Sequence, residues 1–213
     1  MAVEMGALLV MAFTNSCRVY TVHTELKDVT EEIGFDGDAA TVFAASTSNG
    51  MLIQVMHNKI LFVDEGGVGS RALWHAPAGC EICVATCCEN LVLCSTSTSC
   101  DRSVYLLDAH APDGAMEALC FSPGAEASAL ALLHVDQDRN GGTERWLAVL
   151  GTYRVRDSMD GVAGLHVVLL CRDRTRGWAE GRPLQVVSCV WSHVLPCCDY
   201  WCGNLFGVNE AGR

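Results

Sequence analysis

The sequence predicts an all-β chain built from consecutive antiparallel meanders. Short apolar runs rich in Val, Ile, Leu and Phe recur at intervals of roughly 8–12 residues, a spacing typical of β-sandwiches, barrels and propellers. Turn residues separate the runs, for example Ser48-Asn49-Gly50, because Asn and Gly tolerate the positive φ of a tight hairpin turn. No long window shows the i, i+3, i+4, i+7 periodicity of an amphipathic helix between caps.

The clearest meander lies within residues 34–64. Its three apolar runs are residues 41–45, 51–56 and 60–63, joined by Ser48-Asn49-Gly50 and by His57-Asn58-Lys59. Runs this short, bounded by Asn and Gly, favour antiparallel strands over helices. We therefore expect three paired strands here, and the rest of the chain repeats the pattern.

The remaining elements follow from the same signals. Residues 7–13 and 17–24 are predicted as strands joined by a turn at Thr14-Asn15-Ser16, and the acidic stretch 25–37 leads into the meander. Further strands are predicted at residues 71–75, 81–86, 91–95, 103–107, 116–121, 128–135, 146–152 and 165–171, with one or two more within 183–195. The stretches 65–70, 136–143 and 157–164 are predicted as loops. We expect the following side chains to be largely buried: Phe13, Val19, Val42, Leu52, Ile53, Leu61, Trp74, Val84, Leu91, Val92, Leu106, Leu132, Leu147, Val149 and Val167.

The length and net charge of the chain limit the classes of function that it can have. The chain has 213 residues, enough for one domain of ordinary size, and its formal net charge is −11. An acidic field repels phosphate, so bulk electrostatic binding to DNA or RNA is disfavoured and nucleic acid is expected to be met only indirectly or weakly. A local basic face is the alternative, because six arginines lie close in sequence: Arg154, Arg156, Arg172, Arg174, Arg176 and Arg182. The favoured interpretation is that these arginines lie in solvated loops between strands.

The N-terminus does not resemble a signal peptide. Glu4 stands where a basic region is expected, and the apolar stretch 5–13 is short and followed by polar residues. No run approaches the roughly 18 apolar residues of a membrane span. We therefore expect an intracellular protein without a membrane partner. Its 13 cysteines are expected to be thiols, since their odd count fits a complete disulfide framework poorly.

Cys80 and Cys83 have the spacing of a zinc knuckle, and Cys197, Cys198 and Cys202 could supply a second half. That second half is irregular. On a strand, Ile82, Val84 and Thr86 would point to one face and Cys83, Ala85 and Cys87 to the other. The favoured interpretation is therefore that these cysteines are small apolar core residues.

Residues 136–141 copy the first half of a calcium loop, with Asp136, Asp138 and Asn140 as ligand types. An EF-hand would need Glu at its twelfth position, which is Leu147, and flanking helices. A calcium loop in a β-hairpin would need an acid at the ninth position, where Glu144 stands. A solvated Asp/Gly loop is the favoured alternative, and we expect no cofactor and no catalytic residue.

An ordered series of motifs resembles one family. Ala12-Phe13 and Arg18-Val19-Tyr20 match its first strand, Val29-Thr30-Glu31-Glu32 and Gly34-Phe35 its loop, Leu52-Ile53-Gln54-Val55 a later strand and Trp74 the next. A strand of the following blade is matched by residues 146–151. The series is similar to the first half of the middle β-propeller of triple-propeller proteins. These are the large subunits of the damaged-DNA-binding complex and of cleavage and polyadenylation specificity factor, and the large propeller subunit of splicing factor 3b.

The resemblance implies a partial WD40-like β-propeller of about three to four blades, over residues 7–195, with an uncertain C-terminal tail at 196–213. It also implies a non-enzymatic scaffold in the nucleus, which binds proteins through propeller faces and strand edges. The processes implied are pre-mRNA splicing, mRNA 3′-end processing and DNA-damage-linked ubiquitination. The alternative is a small metal-binding, zinc or calcium, or hydrolytic β-domain.

Family members are several-fold longer, so we expect the remainder of a larger chain or complex to be missing. Half a propeller leaves its first and last blades with bare apolar faces. The isolated chain is therefore expected to aggregate, to form oligomers or to bind that remainder.

Overall fold

The computed structural model describes residues 7–48, 50–63, 70–97, 103–109, 119–121, 127–137, 143–155, 161–173, 177–178 and 189–191. Within these ranges every regular element is a β-strand, which confirms the all-β prediction. The same ranges contain no helix with the length and hydropathy to cross a membrane.

The described strands form four antiparallel sheets, here called sheets I to IV in chain order. Sheet I contains β1 (Ala7–Ala12), β2 (Cys17–Val22) and β3 (Leu26–Asp28). Sheet II contains β4 (Thr41–Ser46), β5 (Leu52–Met56), β6 (Lys59–Val63) and β7 (Ser70–His75). Sheet III contains β8 (Glu81–Cys88), β9 (Leu91–Ser97), β10 (Val104–Asp108) and β11 (Leu119–Phe121). Sheet IV contains β12 (Ala127–Gln137), β13 (Thr143–Val155), β14 (Gly161–Asp173), β15 (Gly177–Trp178) and β16 (Cys189–Trp191).

Each sheet is a meander whose strands pair with their neighbours in sequence, apart from β16, which pairs with β14. The first strands of successive sheets contact one another: β1 lies against β4, β4 against β8, and β8 against β12. The first strand of every sheet therefore lies on the same inner side. Consecutive meanders arranged in this way are the blades of a partial β-propeller.

Among the described residues, the hydrophobic core consists of three clusters, and each fills the space between two consecutive sheets. Val19 of sheet I packs with Leu52 and Val63 of sheet II. Ile53 and Phe62 of sheet II pack with Ile82 and Leu107 of sheet III. The third cluster joins sheets III and IV, and it contains Leu91, Leu93, Val104, Leu106, Leu132, Trp146, Ala148, Leu150 and Leu170. Both faces of sheets II and III are therefore covered, because neighbouring residues of one strand serve opposite clusters.

Most of the predicted core is confirmed. Nine of the predicted side chains are buried: Val19, Leu52, Ile53, Leu61, Leu91, Val92, Leu106, Leu132 and Val149. Five are half-buried: Val42, Trp74, Val84, Leu147 and Val167. The prediction is wrong for Phe13, which is 49% exposed. Phe13 directly follows β1 in sheet I, and among the described residues no sheet covers the outer face of sheet I.

The structure corrects several predicted boundaries. The opening meander has a fourth strand, β7, and Lys59 belongs to β6 and not to the turn. The acidic stretch 25–37 contains a strand that the sequence analysis missed, β3. Asp136 lies in β12, so the predicted loop 136–143 is shorter than expected, and residues 138–142 lie outside the described residues. Residues 161–164, predicted as loop, belong to β14. Of the predicted loop 65–70, Ser70 belongs to β7, and residues 65–69 lie outside the described residues.

Candidate functional site

The strand that carries the family motif holds a fully buried polar side chain, Gln54, between apolar neighbours. The Oε1 of Gln54 accepts a hydrogen bond of 2.8 Å from the backbone N of Asp36. Its Nε2 donates to the backbone O of Asp36 at 3.0 Å and to Oγ1 of Thr41 at 2.8 Å. Each polar atom of the Gln54 amide thus has a partner, and the side chain fixes the segment that leads from sheet I into sheet II.

That segment, residues 29–40, follows β3 in the chain, at the point where each of the other sheets continues into a fourth strand. Val29, Ile33 and Phe35 are buried in the cluster between sheets I and II. Gly34 has a φ of 79°, which glycine adopts without steric cost, and it allows Phe35 to turn inward. The motif residues Val29, Gly34 and Phe35 therefore position the segment by packing and by backbone geometry.

Polar contacts hold the segment against β2. The backbone N of Val19 donates to Oγ1 of Thr30 at 2.9 Å, and Oγ1 of Thr30 donates to Asp28 at 2.6 Å. Nη1 of Arg18 donates to the backbone O of Gly37 at 3.0 Å. A Cβ at Gly37 would lie 2.6 Å from Nη1 of Arg18, so a larger residue would displace the end of the Arg18 side chain from this hydrogen bond. The hydrogen bonds from Thr30, assisted by the charge of Arg18, lower the pKa of Asp28 below its ordinary value of 3.8.

These contacts build a continuous surface, which we call the loop end and define as residues 29–40, 57–58 and 76–80; Ala39 and Ala40 line one cavity with His57, Asn58 and Cys80. Nζ of Lys59 lies 3.0 Å from Oδ2 of Asp36, in a partly buried ion pair. The backbone N of Ile82 donates to the O of His57 at 2.7 Å, which ties sheet III to sheet II. Glu31 and Asp38 are exposed on this end. The loop end is therefore a connected, partly acidic surface.

A second surface is formed by hairpin turns, and we call the described residues 13–16, 47–48, 50–51 and 89–90 the turn end. The backbone N of Ser48 donates to the O of Glu89 at 3.3 Å, which links sheets II and III. Oε1 of Glu89 lies 3.1 Å from Nδ1 of His134, and the His134 ring stacks on Trp146 at 4.4 Å. These contacts connect the turns of successive sheets, so both surfaces run across sheet boundaries.

Among the described residues, the predicted zinc candidates are not brought together into a recognisable metal site. A β-bulge between Ile82 and Val84 leaves Cys83 as the extra residue of β8, and Cys83 is exposed while Cys80 is half-buried. The expectation that Cys83 is a core residue is therefore wrong. The bulge also moves Ala85 to the same face as Ile82, contrary to strict alternation. Cys197, Cys198 and Cys202 lie outside the described residues.

Two other cysteines behave as core thiols. Cys94 is buried between sheets II and III, and desolvation raises its pKa to about 12. Cys87 is half-buried, and desolvation, assisted by the neighbouring Cys88, raises its pKa to about 11. Thiols this hard to ionise are poor nucleophiles and poor metal ligands near neutral pH.

The calcium candidates are only partly within the described chain. Asp136 lies in β12, and Glu144 lies in β13 opposite Gln137. Asp138 and Asn140 fall outside the described residues. In the part of the chain that the structure describes, no group of three or more His, Cys, Asp or Glu side chains is placed to hold a metal ion.

The largest apolar surfaces lie on the two end sheets. Among the described residues, all exposed large hydrophobic side chains belong to sheet I, its turn or sheet IV: Leu9, Met11, Phe13, Val22, Leu26, Leu133 and Val135. Sheets II and III contribute none to this set. A cluster of exposed apolar residues marks a contact surface more often than scattered ones do.

Comparison with known families agrees with this architecture. The sequence model of the RSE1/DDB1/CPSF1 second β-propeller matches residues 4–187, which is most of the chain. The chain belongs to this family. The predicted resemblance to the middle propeller of triple-propeller proteins is thereby confirmed, and the family is one of non-enzymatic scaffolds.

A solved structure with similarity to the chain is the "extracellular domain of the putative one component system BT4673 from B. thetaiotaomicron". The sequence identity is 10% and the TM-score is 0.38. The match covers 84% of this chain but only 37% of that protein. A similarity this low says nothing about function.

Proposed function

We propose that this chain is a scaffold for protein assembly in nuclear nucleic-acid processing. The processes concerned are pre-mRNA splicing, mRNA 3′-end processing or DNA-damage-linked ubiquitination. The observation that carries the proposal is the family match over residues 4–187, together with the four consecutive sheets. Within the proposal, residues 7–195 form the propeller part and residues 196–213 a tail.

The loop end supplies a surface suited to a scaffold. Gln54, Thr30 and Arg18 hold residues 29–40 through buried or partly buried hydrogen bonds. A surface fixed before binding loses little conformational entropy when a partner docks, which favours affinity. Partner proteins would contact this end and the outer strand edges. Among the described strands, β3, β11 and β15 are outer edges of only two or three residues, which limits unspecific pairing.

Nucleic acid enters this proposal only through partner proteins. The net charge of −11 opposes phosphate binding by the chain itself. Glu31 and Asp38 add exposed acidic side chains at the loop end. We therefore expect no retention on DNA or RNA at physiological salt, and we place the protein in the nucleus because of the processes proposed.

The test is affinity purification of the tagged full chain from its own cells, combined with microscopy of the tag. We expect nuclear signal and stoichiometric recovery of subunits from one of the three kinds of assembly. The double variant Glu31→Lys, Asp38→Lys should reduce that recovery about tenfold, since 1.4 kcal/mol of lost contact free energy is a factor of ten. The control Thr14→Lys adds a single positive charge at the turn end and should leave recovery unchanged.

Cytoplasmic signal without subunits of these assemblies would contradict the proposal. Metal analysis of the purified chain tests the alternative class directly. Stoichiometric zinc or calcium would favour a small metal-binding or hydrolytic β-domain over a scaffold.

A further inference from the structure

A cavity opens at the loop end, where sheets II and III meet. Its volume is about 450 Å³, within the roughly 300–1,000 Å³ of ligand pockets. Its walls include Ala39 and Ala40 of the segment 29–40, and Met56 at the end of β5. Met56 is 1% exposed, so packing holds its side chain in place. The cavity therefore offers apolar surface to the aliphatic stem of a long side chain.

The histidine that lines this cavity is held as a hydrogen-bond acceptor. Nδ1 of His57 lies 3.1 Å from the backbone O of Ile82, which can only accept, so Nδ1 carries the proton. In a neutral imidazole the other nitrogen, Nε2, then keeps its lone pair. His57 lines the cavity and is exposed to solvent. A ligand at this ring is therefore expected to donate a hydrogen bond.

A carboxylate without a cationic partner completes the lining. Glu81, the first residue of β8, is exposed, and none of the ion pairs among the described residues involves it. Lys59, the lysine of the adjoining strand β6, is already paired with Asp36 at 3.0 Å. The side-chain amide of Asn58 can add its carbonyl oxygen. The cavity therefore combines apolar walls with hydrogen-bond acceptors and an uncompensated negative charge.

From this combination we infer that the cavity binds an arginine side chain of a partner protein. The methylene groups of that arginine lie along the apolar walls, and its guanidinium donates to the Glu81 carboxylate and to Nε2 of His57. Arginine is favoured over lysine because its planar group presents several donors in a fixed fork, which can serve acceptors on separate chain segments at once. The inference rests on the proposed function, since it names the chemistry by which a partner recognises the loop end.

The charge of the surrounding surface favours a cationic occupant over an anionic or an apolar one. The chain has a net charge of −11, and Glu31 and Asp38 are exposed on the same loop end. Such a field attracts cations and speeds their encounter with the surface. Salt should weaken the binding, because the Debye length falls from about 10 Å at 0.1 M to about 3 Å at 1 M. An apolar occupant would instead bind no more weakly in salt.

Titration of the full chain with a short peptide, followed by NMR, tests the inference. The probe is acetyl-Gly-Ala-Arg-Ala-Gly-amide, and the comparison peptides carry lysine or the uncharged arginine analogue citrulline at the central position. The arginine peptide should give saturable shifts of the backbone amides that line the cavity: His57, Asn58, Gly79 and Glu81. The lysine peptide should bind about tenfold more weakly, and the citrulline peptide should give no saturation. Equal responses to the peptides would overturn the inference.

Single variants separate the cavity from the general acidity of the loop end. Glu81→Gln keeps the size of the side chain but removes the charge, and His57→Phe removes the Nε2 acceptor. Each should weaken binding of the arginine peptide about tenfold. The matched control Glu31→Gln removes an exposed carboxylate of the loop end outside this cavity, and should change affinity by no more than about twofold. Glu81→Gln leaves the bond from His57 to Ile82 in place, so its result stands even if His57→Phe alters the turn.

The remaining outcomes distinguish this inference from the proposed function. Unchanged affinity in Glu81→Gln, or an equal loss in Glu31→Gln, would overturn the inference, because the cavity would then contribute no more than the rest of the acidic surface. Recovery of a nuclear assembly by a chain that does not bind the arginine peptide would overturn the inference and leave the proposed function standing. Binding of the arginine peptide in the cavity without any such assembly would support the site and contradict the proposed function.

Discussion

Phe62 and Phe13 are the same side chain in two regions of one molecule. Phe62 lies between sheets II and III and is 1% exposed, whereas Phe13 lies beside the outer face of sheet I and is 49% exposed. Phe13 directly follows the apolar strand β1, and Phe62 lies within the apolar strand β6. The difference is the neighbouring sheet: sheet III covers Phe62, and no described sheet covers Phe13. In this architecture a side chain is therefore buried when a neighbouring sheet covers it, and the sequence of its own strand does not determine its burial.

The comparison also applies to function. The internal interfaces contribute stability, while the end faces and the loop end are the surfaces available to partners. Sheets II and III have no exposed large hydrophobic side chain among the described residues, because each face already meets a neighbouring sheet. Apolar surface remains exposed on sheets I and IV. Its free-energy cost in water therefore depends on whether a partner covers it.

The strongest test of the comparison replaces the two phenylalanines. Phe62→Ala removes a ring from a closely packed cluster, and should lower the free energy of unfolding by about 3–5 kcal/mol. Phe13→Ala removes a half-exposed ring, and should change it by no more than about 0.5 kcal/mol. Urea unfolding of both variants measures the difference. Equal losses would mean that the outer face of sheet I is as well covered as the internal interface.

The next test removes the buried amide that holds the loop end. Gln54→Leu keeps the size of the side chain but leaves the backbone N–H of Asp36 without its partner. A buried unsatisfied group costs about 1–3 kcal/mol, so unfolding should become easier by that amount. Ser46→Ala, at an exposed position of β4, is the control and should be neutral. A neutral Gln54→Leu would show that packing and the hydrogen bonds of Thr30 and Arg18 hold residues 29–40 without the Gln54 amide.

The smallest expected effect is the pH dependence from Asp28. Its pKa is lower in the folded state than its ordinary value of 3.8, so the unfolded state binds the proton more readily. The stabilisation is fully present above pH 3.8 and is lost as pH falls through the lowered folded pKa. Thr30→Val removes the largest cause of the shift, and should flatten the pH dependence of unfolding in this acid range. An unchanged slope between the variant and the parent chain would contradict this origin.

Much of the fold could be predicted because strand periodicity and turn chemistry are local. The runs at 41–45 and 51–56 became β4 and β5 with shifts of a single residue. Bulges could not be predicted, since the extra residue at Cys83 is fixed by pairing with β9 across the sheet. The three-residue strand β3 lies in an acidic stretch and has no apolar alternation to reveal it.

The candidate surfaces were less predictable for a similar reason. Gln54 gave a usable signal, because a polar side chain within the apolar run 52–56 needs buried partners. Its partners Asp36 and Thr41 are distant in sequence and follow only from the fold. Exposure of Phe13 depends on which sheet comes next to sheet I, which strand patterns do not contain.

Light scattering coupled to size-exclusion chromatography, followed by thermal unfolding over a range of concentrations, tests the central claim most directly. The claim is that neighbouring sheets bury the internal interfaces, whereas no described sheet covers the outer faces of sheets I and IV. It predicts a mass above the 22.9 kDa of one chain, and a melting temperature that rises with protein concentration. A monodisperse monomer of 22.9 kDa with a sharp, concentration-independent transition would contradict it, because such a chain would have no uncovered blade faces.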